Sequence, residues 1–218
     1  MKIIKNIEIK YSNSLENYVD SIKFMENRVS KISINKKKEL IWFLYHDNIY
    51  TMGTSASDSE ILTKTDIPLI NTNRGGKITY HGPGQRIVYF LINLNNRKKD
   101  IRKFVNLIEK SAIYLLKEFD IEAKTFPDRV GIWVTKNNHI KLDRERKIGA
   151  IGLRVKKWIT YHGLSFNLNP DLNFYKNIKA CGLSGYSATS MQSLGKNINQ
   201  ETFDELYLKF FIKGLNDL

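Results

Sequence analysis

The chain has 218 residues, 42% hydrophobic and 26% charged, enough to bury a substantial core without disulfides or a structural metal. Against 22 Asp and Glu stand 35 Lys and Arg, a formal charge of +13. That surplus suits a polyanionic partner or a lysine-rich surface equally, but the basic residues form no stripe with interleaved aromatics, so no nucleic-acid partner is expected. The single cysteine, Cys181, excludes an internal disulfide, the four histidines lack zinc-site spacing, and no apolar run approaches the ~18 residues that span a bilayer. No metal and no membrane are expected, and with no apolar signal region in "MKIIKNIEIKYSNS" the chain reads as cytoplasmic, one domain over residues 1–218.

In chain order, Leu15, Tyr18, Val19, Ile22, Met25, Val29 and Ile32 recur at helical spacing, with Asn13 and Glu16 as N-terminal capping residues. "ELIWFLYH" and "NIYTMG" are rich in β-branched and aromatic residues and predict two strands. "RGGKITYHGPGQ" follows a turn-rich segment and runs into the apolar "RIVYFLINL", so it reads as a glycine-rich loop feeding a buried strand. Asp100 caps a second helix whose apolar face is Ile101, Phe104, Val105, Ile108, Ala112, Leu115, Leu116 and Phe119. "RVGIWVT", "KIGAIGLRV" and "WITYHGLSFNL" predict three more strands, with turns near Asn137 and Lys156, and "TFDELYLKFFIKGL" predicts a C-terminal helix after a turn-like stretch. Strands and helices that do not alternate strictly predict an α/β domain of the α+β kind, with a mixed, largely antiparallel sheet flanked by helices.

The glycine-rich stretch carries Gly75, Gly76, Gly82 and Gly84 around Pro83, beside Arg74, Thr79, Tyr80, His81 and Gln85. Glycine lets backbone lie against a ligand, and this density of hydrogen-bonding side chains exceeds what a plain turn needs. Neither a GxxxxGK[ST] loop nor a GxGxxG motif is present, so nucleotide binding has no motif support. Cys181 stands in "KACGLSG" among turn residues, which suits a reactive thiol as well as an inert one. A nucleophilic thiol needs a partner, because an unperturbed thiol of pKa about 8.5 is mostly protonated near neutrality. The residues leave three partners open: His81, His162 and Lys147.

Taken together, "RGGKITYHGPGQ", "KIGAIGLRVKKWITYHGLSFNL" and "KACGLSG", with "YTMGTSA" upstream, resemble the octanoyltransferase family, which moves an octanoyl group from acyl carrier protein to lipoyl domains. The resemblance implies the fold of the biotin and lipoate protein ligases. It also implies a Cys181 nucleophile activated by Lys147. Substrate binding is implied for Arg74, Gly75, Gly76, Lys77, Ile78, Thr79, Tyr80 and His81, for Ala150, Ile151 and Gly152, and for Gly163, Leu164 and Ser165. Implied acceptors are the lipoyl domains of 2-oxoacid dehydrogenase complexes and the glycine cleavage H protein. No cofactor is implied beyond the phosphopantetheine of the donor. Backbone N–H groups near Gly75 and Gly76 or in residues 150–152 are candidate oxyanion donors. An ATP-dependent lipoate or biotin ligase is the alternative on the same fold. Two departures stand out. Tyr45, His46, Asp47 and Asn48 replace the family's usual EHPP, a change expected to alter a turn, and Ala180 replaces the usual proline before the cysteine.

Overall fold

The computed structural model describes residues 2–179 and 186–218. Strand β1 (Lys2–Ile4) and β2 (Ile7–Glu16) form a hairpin, followed by α1 (Tyr18–Ile32), β3 (Glu39–His46) and β4 (Ile49–Met52). Next come β5 (Leu69–Asn71), β6 (Thr79–His81), β7 (Gln85–Leu91) and α2 (Ile101–Lys117). The remaining elements are β8 (Ile121–Phe126), β9 (Arg129–Asn137), β10 (Ile140–Lys156), β11 (Ile159–Asn167), β12 (Ser187–Ala188) and α3 (Gln200–Gly214). Among the described residues the main sheet runs β1-β2-β3-β7-β11-β10-β9-β8 with β12 against β10, and a smaller sheet runs β5-β4-β6. The pairs β2–β3, β12–β10 and β4–β5 are parallel and the others antiparallel, so the sheet is mixed and mostly antiparallel, as expected.

The central strands read as unbroken apolar runs because both of their faces are covered. On β3, Ile41 and Phe43 point into the cluster formed with α2 and α3, while Leu40, Trp42 and Leu44 point into the cluster formed with α1. Val88 and Phe90 on β7 join the first cluster, and Ile87, Tyr89 and Leu91 the second. Period-two side-chain alternation thus builds two cores from one sheet.

Three expectations need correction. Leu15 is not helical; it lies in β2 opposite Tyr45, and the helix starts after Asn17, whose side chain accepts the Asp20 N–H at 3.1 Å. Parallel pairing with β3 commits this segment to the sheet, and Val19 points outward at 40% exposed. The β1–β2 hairpin and β8 were not expected as strands. All three strands carry charged residues, β1 and β8 are short at 3 and 6 residues, and the hairpin turns on Lys5 and Asn6 with φ of 49° and 66°, a conformation that local pattern does not announce. Thirdly, the glycine-rich stretch is not wholly a loop, since residues 79–81 form β6. The Asp100 cap stands as expected, accepting the Lys103 N–H at 3.0 Å.

Candidate active site

The 74–78, 150–152 and 163–165 stretches singled out by sequence meet in space. On the β10–β11 pair Ala150 stands opposite Ser165, Ile151 opposite Leu164 and Gly152 opposite Gly163. The 74–78 loop lies against this pair, with the Gly75 N–H donating to Leu153 O at 3.1 Å. A Cβ on Gly152 would come within 2.8 Å of Gly75 O, and one on Gly163 within 2.1 Å of Val88 O. Glycine at both positions is what lets the strands and the loop approach. The Gly75 N–H is committed to this contact, which removes it from the candidate oxyanion donors.

Between loop and strands lies a cavity of about 230 Å³. Ile78, Ile87, Val130, Ile151 and Leu164 supply apolar wall, and Arg74, Lys77, Thr79, His81, Arg129, Lys147 and His162 supply the polar groups. Ala150, Gly76, Gly152, Gly163 and Ser165 complete the expected set. Apolar cavities of roughly 150 Å³ already hold a benzene-sized ligand, so a medium-length acyl tail is within reach. Two expected residues lie elsewhere. Gly75 faces Leu153, and Tyr80 is buried in the core of the small sheet, its hydroxyl donating to Asn48 Oδ1 at 2.6 Å.

The histidines of the cavity are neutral. Burial, reinforced by the charges of neighbouring groups including Arg74, drives His81 well below the ordinary histidine value and pushes His162 down to about 3. His81 Nδ1 donates to Gln85 Oε1 at 2.7 Å, because the two N–H groups of the Gln85 amide are turned toward Tyr80 O, Asn167 Oδ1 and the Tyr175 hydroxyl, all within 3.1 Å. Its Nε2 faces Thr51 Oγ1 at 3.4 Å, and that hydroxyl accepts from Arg74 Nε at 3.1 Å. His162 sits at φ 59°, a left-handed conformation unusual for a side chain other than glycine, with Nε2 3.2 Å from Asn73 Oδ1. His46, in the segment that departs from the usual EHPP, is more than a turn residue. It is buried at 0% exposed, with Nδ1 donating to Glu16 O and Nε2 meeting the Tyr89 hydroxyl, both at 2.7 Å.

Lys147 stands where the cavity meets a narrower cleft of about 30 Å³ walled by Trp133 and Tyr186, the two spaces sharing Lys147, Thr79 and Ala150. Its ammonium donates to Val130 O at 2.9 Å and lies 5.4 Å from the Trp133 ring. Cys181 falls outside the described residues. On its downstream side, Ala188 of β12 is the register partner of Lys147, and the Tyr186 hydroxyl accepts from Arg129 Nη1. Arg129 was missed by sequence reasoning. The residue is 9% exposed, its guanidinium carbon lies 3.9 Å from the Phe126 ring centre and 4.5 Å from that of Tyr186, and its Nη2 is 3.6 Å from Glu145 Oε2. An arginine opening a strand in "DRVGIWV" is its only local cue. Among the described residues no group of three or more His, Cys, Asp or Glu is placed to hold a metal, and no helix is long and apolar enough to cross a membrane.

Residues 17–212 match the family model for the lipoyl protein ligase A/B catalytic domain. The octanoyltransferase of Wolbachia sp. subsp. Brugia malayi (strain TRS) is 43% identical over 208 residues, covering 95% of this chain and 98% of that protein. The chain belongs to the octanoyltransferase family. The relative from Ehrlichia canis (strain Jake), also an octanoyltransferase, is 42% identical over 94% of both chains. Family membership makes the chain an acyltransferase. Among solved structures, a bi-partite lipoate protein ligase from Thermoplasma acidophilum superposes with a TM-score of 0.68 at 12% identity, covering 96% of this chain and 83% of that one. A biotin protein ligase from Aquifex aeolicus in complex with biotin and ATP gives 0.53 at 14%, covering 98% and 71%. These likenesses establish the ligase fold expected from the sequence.

Proposed function

We propose that the chain transfers octanoyl from octanoyl-acyl carrier protein to the lysine of lipoyl domains through a Cys181 thioester, with Lys147 as the proton carrier. The observation that carries the proton assignment is the contrast among its three candidates. Lys147 presents its ammonium where cavity and cleft join, while both ring nitrogens of His81 already face partners and His162 is held neutral by burial.

In the first half-reaction the Lys147 ammonium stabilises the Cys181 thiolate, which attacks the thioester carbonyl while the octanoyl tail lies along Ile151 and Leu164. The tetrahedral intermediate collapses, the carbon–sulfur bond to pantetheine breaks, and Lys147 gives its proton to the departing thiolate. Lys147 is then neutral beside an acyl-enzyme. The acceptor lysine has a reference pKa near 10.4, so freeing its amine at pH 7 costs about 4–5 kcal/mol, and neutral Lys147 takes that proton. The amine attacks, the tetrahedral adduct gives its second nitrogen proton to solvent, an amide forms as Cys181 leaves as thiolate, and Lys147 is again the ammonium. The phosphopantetheine arm comes with the donor and no other cofactor is used. Acceptors are the lipoyl domains of 2-oxoacid dehydrogenase complexes and the glycine cleavage H protein.

Mixing the protein with octanoyl-acyl carrier protein and measuring its intact mass tests this reading. One octanoyl adduct is expected on the wild type and none on Cys181→Ala, which should also lose all transfer. An adduct retained by Cys181→Ala, or modification of a lipoyl domain that instead requires ATP and free octanoate, would overturn it, the latter in favour of a ligase.

A further inference from the structure

The reaction above makes no use of the narrow cleft that joins the acyl cavity at Lys147, Thr79 and Ala150. Among the described residues its exposed wall is Tyr186, at 36%, and its buried wall is Trp133, at 1%. At about 30 Å³ it has room for roughly two water molecules, which suits an unbranched chain and not a ring. Two of its polar side chains are engaged with each other and with backbone. The Tyr175 hydroxyl donates to Asn167 Oδ1 at 3.2 Å, and Asn167 Nδ2 donates to Thr189 O at 2.9 Å. A pantetheine arm would bring two amide groups into this space, and burying an amide that finds no hydrogen-bond partner is unfavourable. The stem of a lysine side chain brings only methylenes, which such walls accept without loss.

Arg129 fixes the exposed wall. Besides its contacts with the Phe126 and Tyr186 rings, its guanidinium carbon lies 4.9 Å from the Trp133 ring centre, and Nη1 donates to the Tyr186 hydroxyl. Tyr186 in turn stands edge-on to Trp133, with ring centres 5.2 Å apart and planes at 71°. A buried guanidinium loses hydration, and here Nε has no acceptor among the described residues, so three ring faces and one hydroxyl must offset the loss. The same contacts hold Tyr186 by both its ring and its hydroxyl, which gives the ring one orientation. At the inner end the Lys147 ammonium is 5.4 Å from the Trp133 ring. Two cations beside one ring disfavour an incoming ammonium relative to a neutral amine, and the neutral amine is the form that attacks a thioester.

We infer that this cleft is the passage for the acceptor lysine. Its aliphatic stem lies between Trp133 and Tyr186, its amine emerges beside Lys147, and Arg129 is the positioning residue that keeps Tyr186 in place as the wall. This rests on the two-step reading above, in which an acyl-enzyme forms first and is then discharged onto a lysine. The cleft serves the second step alone, so the two half-reactions should respond differently when its walls are changed.

The test separates those half-reactions in wild type, Tyr186→Ala, Tyr186→Phe and Arg129→Met. Formation of the acyl-enzyme from octanoyl-acyl carrier protein is followed by intact mass, and the isolated acyl-enzyme is then discharged against a purified lipoyl domain or against hydroxylamine, a nucleophile with no stem to guide. In Tyr186→Ala, discharge to the lipoyl domain should slow by about 10–100-fold, the loss expected of a misplaced reactant, while acylation and discharge by hydroxylamine stay within about twofold. Tyr186→Phe keeps the wall and should stay within about threefold throughout, and Arg129→Met should show the same split as Tyr186→Ala to a smaller extent. Wild-type discharge by Tyr186→Ala, or equal losses against both nucleophiles, would overturn the inference. An acylation defect larger than the discharge defect would assign the cleft to the donor's arm and overturn it as well. Wild-type behaviour of Arg129→Met would remove its positioning role, and if that variant is recovered unfolded the two Tyr186 variants decide the passage. Failure of the wild type to form any acyl-enzyme would instead overturn the parent reading, whatever the variants do.

Discussion

Lys147 owes its position to contacts that restrict it to one reach, with the Trp133 ring beside its ammonium, Gly131 under its stem and Val130 O as acceptor. Substituting arginine separates its two proposed roles. In the proposed mechanism Lys147→Arg still supplies the cation that favours the thiolate but cannot release a proton in this pH range. The expected outcome is that Cys181 is still alkylated by iodoacetamide below the pH at which a free cysteine reacts, while transfer to a lipoyl domain falls by about 10²–10⁴, the usual contribution of a positioned acid–base group. Normal transfer by Lys147→Arg, combined with loss of the thiolate in His81→Ala or His162→Ala, would assign the proton to a histidine. Lys147 and the glycines were legible because they sit inside long local motifs. Arg129 was not, since a single arginine opening a strand looks like ordinary surface until packing shows it buried.

At the scale of elements, the C-terminal helix is tied to the sheet by a buried ion pair. Arg86 of β7, at 0% exposed, donates through Nε to Asp204 Oδ1 at 2.9 Å and through Nη2 to Oδ2 at 2.5 Å, a bidentate geometry between β7 and α3. Burial raises the Asp204 carboxyl, and the Arg86 hydrogen bonds and charge oppose that rise. Removing one member strands the other, so Asp204→Ala should cost about 3–5 kcal/mol in urea unfolding. A loss below about 1 kcal/mol would mean that water reaches Arg86 in the variant. The existence of β3, β7, β9, β10 and β11 was legible as apolar runs bounded by turns. Their order was not, because β7 pairs with β3 on one side and β11 on the other, and nothing local in a strand buried on both faces names its neighbours.

Across the whole molecule, burial sets the response to acid. His46, His81 and His162 all sit below the usual histidine value of 6.5, mainly through loss of solvation, His46 at about 4 and His162 at about 3. The unfolded chain takes up a proton at each near that ordinary value while the folded chain refuses it. Stability is therefore full above about pH 6.5 and falls as the pH drops toward the folded values, by about 1.4 kcal/mol per unit for each histidine. The urea midpoint should decline steeply between about pH 6.5 and pH 5, and a flat midpoint would show that the rings are protonated in the folded state. The +13 charge acts at longer range. Association with an acidic acyl carrier protein, followed by stopped-flow fluorescence, should slow as salt shortens the screening length to about 8 Å at physiological ionic strength. An on-rate indifferent to salt would return the charge to general surface composition.

Chain-local chemistry was determined by the sequence alone: the three helices and the apolar central strands, the cap at Asp100, the glycines that permit close approach, and the motifs that carry the family resemblance. Their meeting was decided only in three dimensions. Residues 150–152 and 163–165 are neighbours because a hairpin turning on Lys157 and Trp158, with φ of 52° and 61°, places Gly152 opposite Gly163. The 74–78 loop reaches them because the Leu153 carbonyl accepts from Gly75 across a long chain separation. The contacts of Lys147 likewise join β9 and β10. Periodicity and turn chemistry act over a few residues, whereas these contacts form only when the burial of two cores pays the entropy of closing the long loops between them.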